Sequence, residues 1–272
     1  MSKVWFITGV SRGFGREWAL AALERGDRVA GTARDLATVE DLVAKYPDTF
    51  LPLRLDVTDR AGDFAAVAQA PGHFGRLDVV VNNAGYGQFG MVEELTEEQF
   101  RAQFETNVFG ALWVTQAALP IMRAQGGGHI LQVSSIGGVM AFQNLSAYHA
   151  SKWALEALSQ SLAAEVAGFG IHVTLIEPAG FDTDWAGASA SHSTPNPAYN
   201  EVRDARNRVR AAQQRGEPGA TRTAILTVVD AEQPPLRLFL GESPLHTATA
   251  EYESRLALWR EWQPVAAAAQ GH

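Results

Sequence analysis

Two side chains on one predicted helix have the types and spacing needed to move a proton. The hydrophobic pattern of residues 147–166 predicts a helix, and Tyr148 and Lys152 lie four residues apart near its start. That spacing puts both side chains on the same helical face. A free tyrosine has a pKa of about 10, and a cationic neighbour lowers that pKa by favouring the phenolate. The pair therefore suggests a general acid or base, although Tyr-x-x-x-Lys alone is also a common structural pattern.

A glycine-rich turn near the N-terminus has the composition of a phosphate-binding loop. Residues 8–15 read Thr-Gly-Val-Ser-Arg-Gly-Phe-Gly, between a predicted strand and a predicted helix. Glycines at these positions let the backbone turn tightly and approach a pyrophosphate without a Cβ in the way. The helix that follows offers free N–H groups and the positive end of its dipole to an anion. A glycine-rich turn that binds nothing is the alternative for the motif taken alone.

Apolar runs and helical patterns alternate along the first two thirds of the chain. Strands are predicted at 4–8, 28–32, 49–55, 77–81, 128–133 and 171–176, and helices at 14–24, 36–45, 97–123 and 147–166. This β-α-β order predicts an α/β fold, a doubly wound parallel sheet of the Rossmann-like type. We expect one domain over residues 1–272, with the 97–123 helix bent or broken near Pro120.

The regular alternation ends after Pro178. Residues 186–197 are rich in Ala, Ser, His, Thr and Pro without periodicity, which predicts a mobile loop. The 184–215 segment is interpreted as a substrate loop, and the Ala-rich tail at 265–272 is expected to be disordered. Other elements predicted in this region are helices at 200–214, 221–229 and 244–262 and a strand at 236–240.

Composition excludes several kinds of chemistry. The chain of 272 residues has no cysteine, which removes disulfides, thiolate catalysis and cysteine-ligated metals. Its seven histidines lack metal-ligand spacing, so we expect no metal site. A net charge of -8 argues against nucleic acid as a partner. The N-terminal apolar stretch is too short for a signal sequence or a membrane span, so we expect a cytoplasmic protein with no membrane contact.

Five motifs in order resemble those of the short-chain dehydrogenase/reductase family, and most closely its steroid- and retinol-dehydrogenase-like branch. The resemblance spans roughly residues 3–183, and the last third is similar only in outline. The spacing Gly-x-x-x-Gly-x-Gly is that family's, unlike the Gly-x-Gly-x-x-Gly of other dinucleotide-binding folds. The five motifs are Thr-Gly-x-x-x-Gly-x-Gly at 8–15, Asn-Asn-Ala-Gly at 82–85, Asn107, Ser-Ser at 134–135 and Tyr-x-x-x-Lys at 148–152.

The resemblance implies an enzyme that transfers hydride between a nicotinamide cofactor and a carbonyl or alcohol. Tyr148 would then be the acid/base, and Ser135, rather than Ser134, would hydrogen-bond the substrate oxygen. Lys152 would hold the nicotinamide ribose, and Asn107 would anchor a water molecule next to it. His149, beside the tyrosine, is interpreted as a packing or surface residue.

The residues after the second predicted strand favour NADP(H) as the cofactor. An acidic residue about 20 positions after the glycines would indicate NAD, and Asp35 has that spacing. The strand tip itself is Ala33, however, and Arg34 follows where it could pair with a 2′-phosphate. Arg12 could reach the same phosphate from the glycine turn, since the planar guanidinium suits phosphate oxygens. Asp35 is then expected to cap the next helix.

The resemblance also assigns a wider set of cofactor contacts. Asp56 would meet the adenine amino group, and Thr183 the nicotinamide carboxamide. The chain has Pro-Ala-Gly at 178–180 where the family usually has Pro-Gly, a departure that affects the backbone path there. Besides Arg12, Arg34, Tyr148 and Lys152, the predicted cofactor residues are Gly9, Ser11, Gly13, Phe14, Gly15, Asp56, Val57, Asn83, Ala84, Gly85, Pro178, Gly180 and Thr183.

The predicted substrate side is apolar or aromatic. Met140, Phe142, Trp185 and, less directly, Tyr86 lie close in sequence to the catalytic and cofactor motifs, although they could equally be ordinary core residues. The alternatives are an NAD-dependent alcohol dehydrogenase, an isomerase, dehydratase or epimerase of the same fold, and a non-catalytic NADP-sensing protein. The resemblance further implies a homodimer or homotetramer formed through the helices at 97–123 and 147–166.

Overall fold

A seven-stranded parallel sheet forms the centre of the molecule, in the order β3-β2-β1-β4-β6-β7-β9. The computed structural model describes residues 2–187 and 189–271. It confirms the predicted doubly wound α/β fold. The strands are β1 (Val4–Ile7), β2 (Arg28–Ala33), β3 (Phe50–Arg54), β4 (Val79–Asn82), β5 (Gln88–Phe89), β6 (Gly128–Val133), β7 (Ile171–Pro178), β8 (Ser191–His192) and β9 (Arg237–Leu240).

Helices cover both faces of the sheet, which is why its central strands are almost wholly apolar. Successive residues of β1 point to opposite faces, so Trp5 and Phe6 belong to two separate core clusters. The first cluster is closed by α1 and α8, and the second by α3, α5 and α6. The helices are α1 (Gly13–Glu24), α2 (Glu40–Lys45), α3 (Arg60–Phe74), α4 (Glu97–Phe104), α5 (Ala111–Gln125), α6 (Ser146–Val166), α7 (Asn200–Ala211), α8 (Arg222–Asp230) and α9 (Ser243–Ala268).

The long predicted helix at 97–123 is interrupted, but not near Pro120, where the sequence predicted a bend or break. Pro120 lies inside a continuous α5, and the irregular stretch is a π-helical segment at Glu105–Gly110. This segment carries Asn107, whose side chain bonds to the backbone of Tyr86. The wider π-helical turn therefore coincides with a buried polar contact, and π-bulges are frequent at functional sites.

The predictions of a loop at 186–197 and of a disordered tail at 265–272 differ from the structure. Within 186–197, Ser191–His192 pairs in parallel with Gln88–Phe89, so part of this segment is a strand held by long-range hydrogen bonds. Helix α9 continues to Ala268, because alanine is the best helix former and the tail is rich in it. Residues 188 and 272, which fall in these two predicted segments, lie outside the described residues. None of the helices in the described chain is both long and apolar enough to cross a membrane.

Candidate active site

The glycine turn between β1 and α1 has the geometry that a close ligand needs. Gly9 and Gly13 have φ of +72° and +59°, values that residues with a side chain rarely adopt. A Cβ on Gly15 would lie 2.4 Å from both the Asn83 amide nitrogen and the Gly9 carbonyl oxygen. Gly15 is therefore required for the turn to pack against Asn83, whereas Gly9 and Gly13 lie on the cleft wall and leave the backbone open at the start of α1, where a pyrophosphate fits.

The turn is fixed from the other side by the segment after β4. The Asn83 amide donates to the carbonyl oxygens of Thr8 (2.8 Å) and Gly9 (3.0 Å). In return, the Thr8 hydroxyl oxygen accepts hydrogen bonds from the backbone N–H groups of Asn83 and Ala84, both at 2.9 Å. Thr8 is a positioning residue that the sequence reasoning did not assign, although it opens the glycine motif. Only the pairing of β1 with β4 brings these two motifs together.

A cleft of about 750 Å³ runs along the carboxyl ends of the strands, as expected for this fold. Gly15 was also predicted as a cofactor residue, but it is buried behind the turn and does not line the cleft. The other predicted cofactor residues line the cleft: Gly9, Ser11, Arg12, Gly13, Phe14, Arg34, Asp56, Val57, Asn83, Ala84, Gly85, Tyr148, Lys152, Pro178, Gly180 and Thr183.

The end of β2 has no acidic residue and is followed by an arginine, as the sequence predicted. Ala33 is its buried last residue, and the exposed Arg34 follows on the cleft wall. Asp35 caps the next helical turn, where its carboxylate accepts a hydrogen bond from the backbone N–H of Ala37 at 3.0 Å. Arg12 was expected to bind the 2′-phosphate, but in the structure its guanidinium pairs with Asp184 at 3.2 Å. Both partners of that pair are half-exposed, so the contact is weak and exchangeable.

Tyr148, Lys152 and Ser135 meet at one end of the cleft. Tyr148 and Lys152 lie in the first turns of α6, and Ser135 is the second residue after the end of β6. The Lys152 ammonium donates to the carbonyl oxygen of Val133 at 2.7 Å and lies 5.7 Å from the centre of the Tyr148 ring. The Ser135 hydroxyl accepts from the backbone N–H of Gly137 at 3.0 Å, which fixes its direction.

Burial sets the protonation states of this group. It raises the pKa of Tyr148 to about 12, and the hydrogen bond with Ser135 offsets part of the increase. Burial also lowers the pKa of Lys152 to about 8, against the opposing charge of Glu156. The sequence predicted a lowered pKa for Tyr148, but desolvation of the buried phenol is the largest effect and raises that pKa. The phenol therefore holds its proton at neutral pH and is available as a donor.

Asn107 supports the site from behind. Its amide nitrogen donates to the Tyr86 carbonyl oxygen and to the Ser151 hydroxyl, both at 3.1 Å, and its oxygen accepts from the Tyr86 N–H at 3.2 Å. The side chain is buried behind the cleft wall, next to the residue that precedes Lys152. These contacts tie α6 to the loop after β4, and the water-anchoring role that the resemblance implies stays a prediction.

Aromatic side chains form the far wall of the cleft beside Tyr148. The ring centres of Trp185 and Tyr148 are 4.8 Å apart, and Phe89 lies 5.5 Å beyond Trp185. Of the residues predicted for substrate, Phe142, Trp185 and Tyr86 line the cleft. Met140 does not, because its side chain is buried in the protein and lies outside the cleft lining.

His149 is also a lining residue, and its surroundings support the packing interpretation. Its Nδ1 accepts a hydrogen bond from the backbone N–H of Phe142 at 3.3 Å. Burial, with a smaller contribution from the charge of Arg206, lowers the pKa of His149 to about 4. The ring is therefore neutral at physiological pH, and one of its nitrogens already serves the backbone.

Two arginines of α7 close the aromatic end of the cleft, and sequence reasoning missed them. The Arg206 guanidinium lies 4.4 Å from the centre of the Phe142 ring, and that of Arg210 lies 5.5 Å from the centre of Phe89. Their spacing of four residues on a predicted charged helix was the available signal. The orientation of this helix toward the cleft depends on contacts between residues far apart in the chain, which the sequence pattern does not indicate.

The chain belongs to the short-chain dehydrogenase/reductase family. The family model for short chain dehydrogenases matches residues 3–194. A curated relative, an oxidoreductase of Botryotinia fuckeliana, is 41% identical over 272 residues, which cover 98% of this chain and 99% of the relative. A short-chain dehydrogenase from Streptomyces avermitilis superimposes with a TM-score of 0.93 at 44% identity, over 98% of each chain. The chain is therefore an oxidoreductase of this family.

Solved members of the same fold hold either form of the nicotinamide cofactor. An alcohol dehydrogenase from Thermococcus sibiricus, complexed with 5-hydroxy-NADP, has a TM-score of 0.74 and 26% identity over 88% of this chain and 96% of its own. A 3-ketoacyl-(acyl-carrier-protein) reductase from Brucella melitensis, complexed with NADH, has a TM-score of 0.75 and 26% identity over the same shares. The choice between the two cofactors therefore rests on the residues of this chain.

Proposed function

We propose that this protein is an NADP(H)-dependent oxidoreductase that transfers hydride between the nicotinamide and a carbonyl or secondary alcohol. The observation that carries the proposal is the meeting of Tyr148, Ser135 and Lys152 at one end of the cleft that begins at the glycine turn. A proton donor, an oxygen-binding hydroxyl and a cation are the groups that carbonyl reduction requires.

Each polar group has a role in the reducing direction. A bound reduced cofactor supplies the hydride that adds to the substrate carbonyl carbon. The C=O π-electron pair moves to the oxygen, which the Ser135 hydroxyl holds by a hydrogen bond. Tyr148 gives its proton to that oxygen, and its raised pKa keeps the proton in place until then. The Lys152 ammonium, 5.7 Å from the ring centre, stabilises the resulting phenolate and holds the ribose hydroxyls of the cofactor.

The preference for the phosphorylated cofactor rests on the tip of β2. Ala33 leaves no carboxylate to bind a ribose 2′-hydroxyl, and Asp35 is engaged in capping. Arg34 is exposed on the cleft wall and makes no ion pair with any described residue. A 2′-phosphate would supply its missing partner.

We also propose a homodimer or homotetramer, with the 184–215 segment covering the substrate. Two aromatic pairs on the helices at 97–125 support self-association, and each has one exposed ring. The ring centre of the exposed Phe100 is 5.0 Å from that of the partly buried Phe104, and the ring centre of the exposed Phe109 is 5.8 Å from that of the partly buried Trp113. Clusters of exposed aromatic residues are typical of interaction surfaces.

Replacement of Tyr148 by phenylalanine tests the hydride-transfer proposal. General acid catalysis contributes about 10²–10⁴ in rate, so kcat with NADPH and a reducible ketone should fall by about that factor. The binding affinity for NADPH, measured by fluorescence titration, should stay within about two-fold, since a single hydroxyl is lost.

A tyrosine outside the cleft provides the control. Tyr252 is exposed on α9, and Tyr252→Phe should leave both kcat and NADPH affinity unchanged. Retention of most activity by Tyr148→Phe would contradict the mechanism. Tight NADPH binding by the wild type with no turnover of any carbonyl compound would instead favour a cofactor-sensing protein.

A further inference from the structure

Helix α7 presents three arginines on the side that faces the protein. Arg203, Arg206 and Arg210 are partly buried, while Arg208 between them is exposed. Arg203 is neutralised, because it pairs with the carboxylate of Glu94. Arg206 and Arg210 extend to the cleft and line it. One face of a single helix therefore carries both a structural arginine with a counter-ion and two arginines directed at the site.

The two cleft arginines have no counter-ion among the residues that the structure describes. Burial lowers the pKa of both guanidinium groups, and for Arg210 the charges of Arg215 and Arg206 add to the effect. Arg215, in contrast, has a carboxylate partner, Asp182, at 3.4 Å. A partly buried, unpaired cation is costly unless something supplies the opposite charge.

Aromatic rings orient these two cations. Arg206 lies over Phe142, and Arg210 lies over Phe89, in cation–π contact. Such contacts compensate part of the desolvation and hold the planar groups at fixed positions, but they leave the N–H donors unused. Fixed guanidinium donors on a cleft wall are suited to bidentate recognition of a carboxylate.

The remaining charges of the cleft leave this end positive. The Asp56 carboxylate accepts hydrogen bonds from the backbone and hydroxyl of Thr58, and Asp184 pairs with Arg12. His149 is neutral because burial, and to a lesser extent the charge of Arg206, lowers its pKa to about 4. An anionic group entering beside α7 therefore meets two cations and no competing carboxylate from these lining residues.

We propose that Arg206 and Arg210 bind an anionic group of the substrate, so that the enzyme acts on a carbonyl compound that carries a carboxylate. This inference rests on the proposed function, since the carbonyl must reach Tyr148. Trp185 and Phe89 lie one after the other, with tilted rings, between the phenol and Arg210. The substrate therefore has an apolar or aromatic part between its carbonyl and its carboxylate that is long enough to pass these two rings.

Matched pairs of substrates test the proposal. Aryl ketones with a terminal carboxylate on methylene chains of graded length are compared with their methyl esters, using NADPH. Charge-assisted hydrogen bonds contribute about 1.5–3 kcal/mol, so the acid of best length should exceed its ester by about 10- to 100-fold in kcat/KM. The double variant Arg206→Gln/Arg210→Gln should remove this preference, so that the acid and its ester have about equal kcat/KM in the variant.

Arg208→Gln is the control on the same helix, because its side chain is exposed, and it should retain the preference for the acid. The affinity of the double variant for NADPH should match that of the wild type. Equal turnover of acid and ester by the wild type would overturn the inference, as would a marked loss of NADPH affinity in the double variant, which would assign the arginines to the cofactor.

A binding measurement separates this inference from the proposed function. Calorimetric titration of the enzyme–NADP⁺ complex with the ketoacid, and with its methyl ester, needs no turnover. Tighter binding of the acid, lost in the double variant, supports the anion site even if no ketone is reduced, in which case only the proposed function fails. Equal binding of acid and ester contradicts the anion site even if both are reduced.

Discussion

The two halves of the cleft are built in different ways. The cofactor half consists of strand ends and the turns that follow them, and its main contacts are short hydrogen bonds such as those between Thr8 and Asn83. The substrate half has one wall formed by residues of the 184–215 segment. This segment is attached to the rest of the protein through side chains and through the two-residue strand β8, which pairs with β5 outside the central sheet. Glu94 makes two of these attachments, since it accepts a hydrogen bond from the backbone N–H of Asn196 at 2.7 Å and pairs with Arg203.

This difference explains how each half responds to substitution. In the cofactor half, backbone lies against backbone with no space to relax, so a single added methyl group must be disruptive. In the substrate half, side chains line a partly open space, so their removal should change ligand affinity more than folding. Three substitutions test this comparison.

The largest effect is expected from Gly15→Ala. The added Cβ would lie 2.4 Å from the Gly9 carbonyl oxygen and from the Asn83 amide, so the turn or the Asn83 contact must move. Overpacking of this kind costs about 1–3 kcal/mol in unfolding free energy, and NADPH affinity should fall by at least about 100-fold. Urea denaturation and fluorescence titration measure the two quantities.

Gly72→Ala is the matched control for this variant. Gly72 lies within α3, and a Cβ there would meet no atom within 4 Å. Replacement of a helical glycine by alanine should stabilise the protein by about 0.5–1 kcal/mol and leave NADPH binding unchanged. Wild-type affinity in Gly15→Ala would show that the turn is more compliant than the contacts indicate.

An intermediate effect is expected from Arg34→Ala. If this guanidinium binds the 2′-phosphate, its loss removes a charge-assisted hydrogen bond of about 1.5–3 kcal/mol, which corresponds to roughly a 10- to 100-fold increase in KM for NADPH. KM for NADH should change little, because NADH lacks the phosphate. Steady-state kinetics with both cofactors provide the measurement, and equal losses for the two would count against the NADP(H) assignment.

The smallest effect on the fold is expected from Trp185→Ala in the substrate half. The indole packs against Tyr148, Phe89 and Gly87, where a Cβ on the glycine would lie 2.5 Å from the ring. Its removal should raise KM for an apolar ketone by about 10-fold, or about 1.4 kcal/mol, through lost apolar contact. The affinity for NADPH and the unfolding midpoint should stay near wild type. A large drop in either would show that the substrate half of the cleft is as sensitive to substitution as the cofactor half.

The cofactor half and the fold were largely predictable, because their signals are local. The strands, the glycine turn and the helix carrying Tyr148 and Lys152 each follow from a few consecutive residues. Asp35 was predicted as a cap by its position after β2, and the structure confirms this. The direction of the Tyr148 pKa could not be predicted, since it depends on burial, which spacing does not report.

The substrate half was predictable only in part, because its geometry depends on distant contacts. Residues 186–197 have no periodicity, so the pairing of β8 with β5 had no sequence signal. That pairing and the contacts of Glu94 decide which side of α7 faces the cleft. From the sequence alone, Arg206 and Arg210 therefore could not be distinguished from other charged residues of an exposed helix. Met140 was misassigned for a similar reason, because sequence proximity does not give side-chain direction.

The central position of β1 has a consequence for how the protein is made. Its neighbours in the sheet are β2 and β4, and the glycine turn is completed by Asn83, 75 residues after Thr8. During synthesis, the first motif to leave the ribosome must therefore wait for the β4 segment before it can take its final shape. Parallel strands also pair only after a crossover has formed, which slows folding. The cofactor turn is thus encoded locally but becomes structured late.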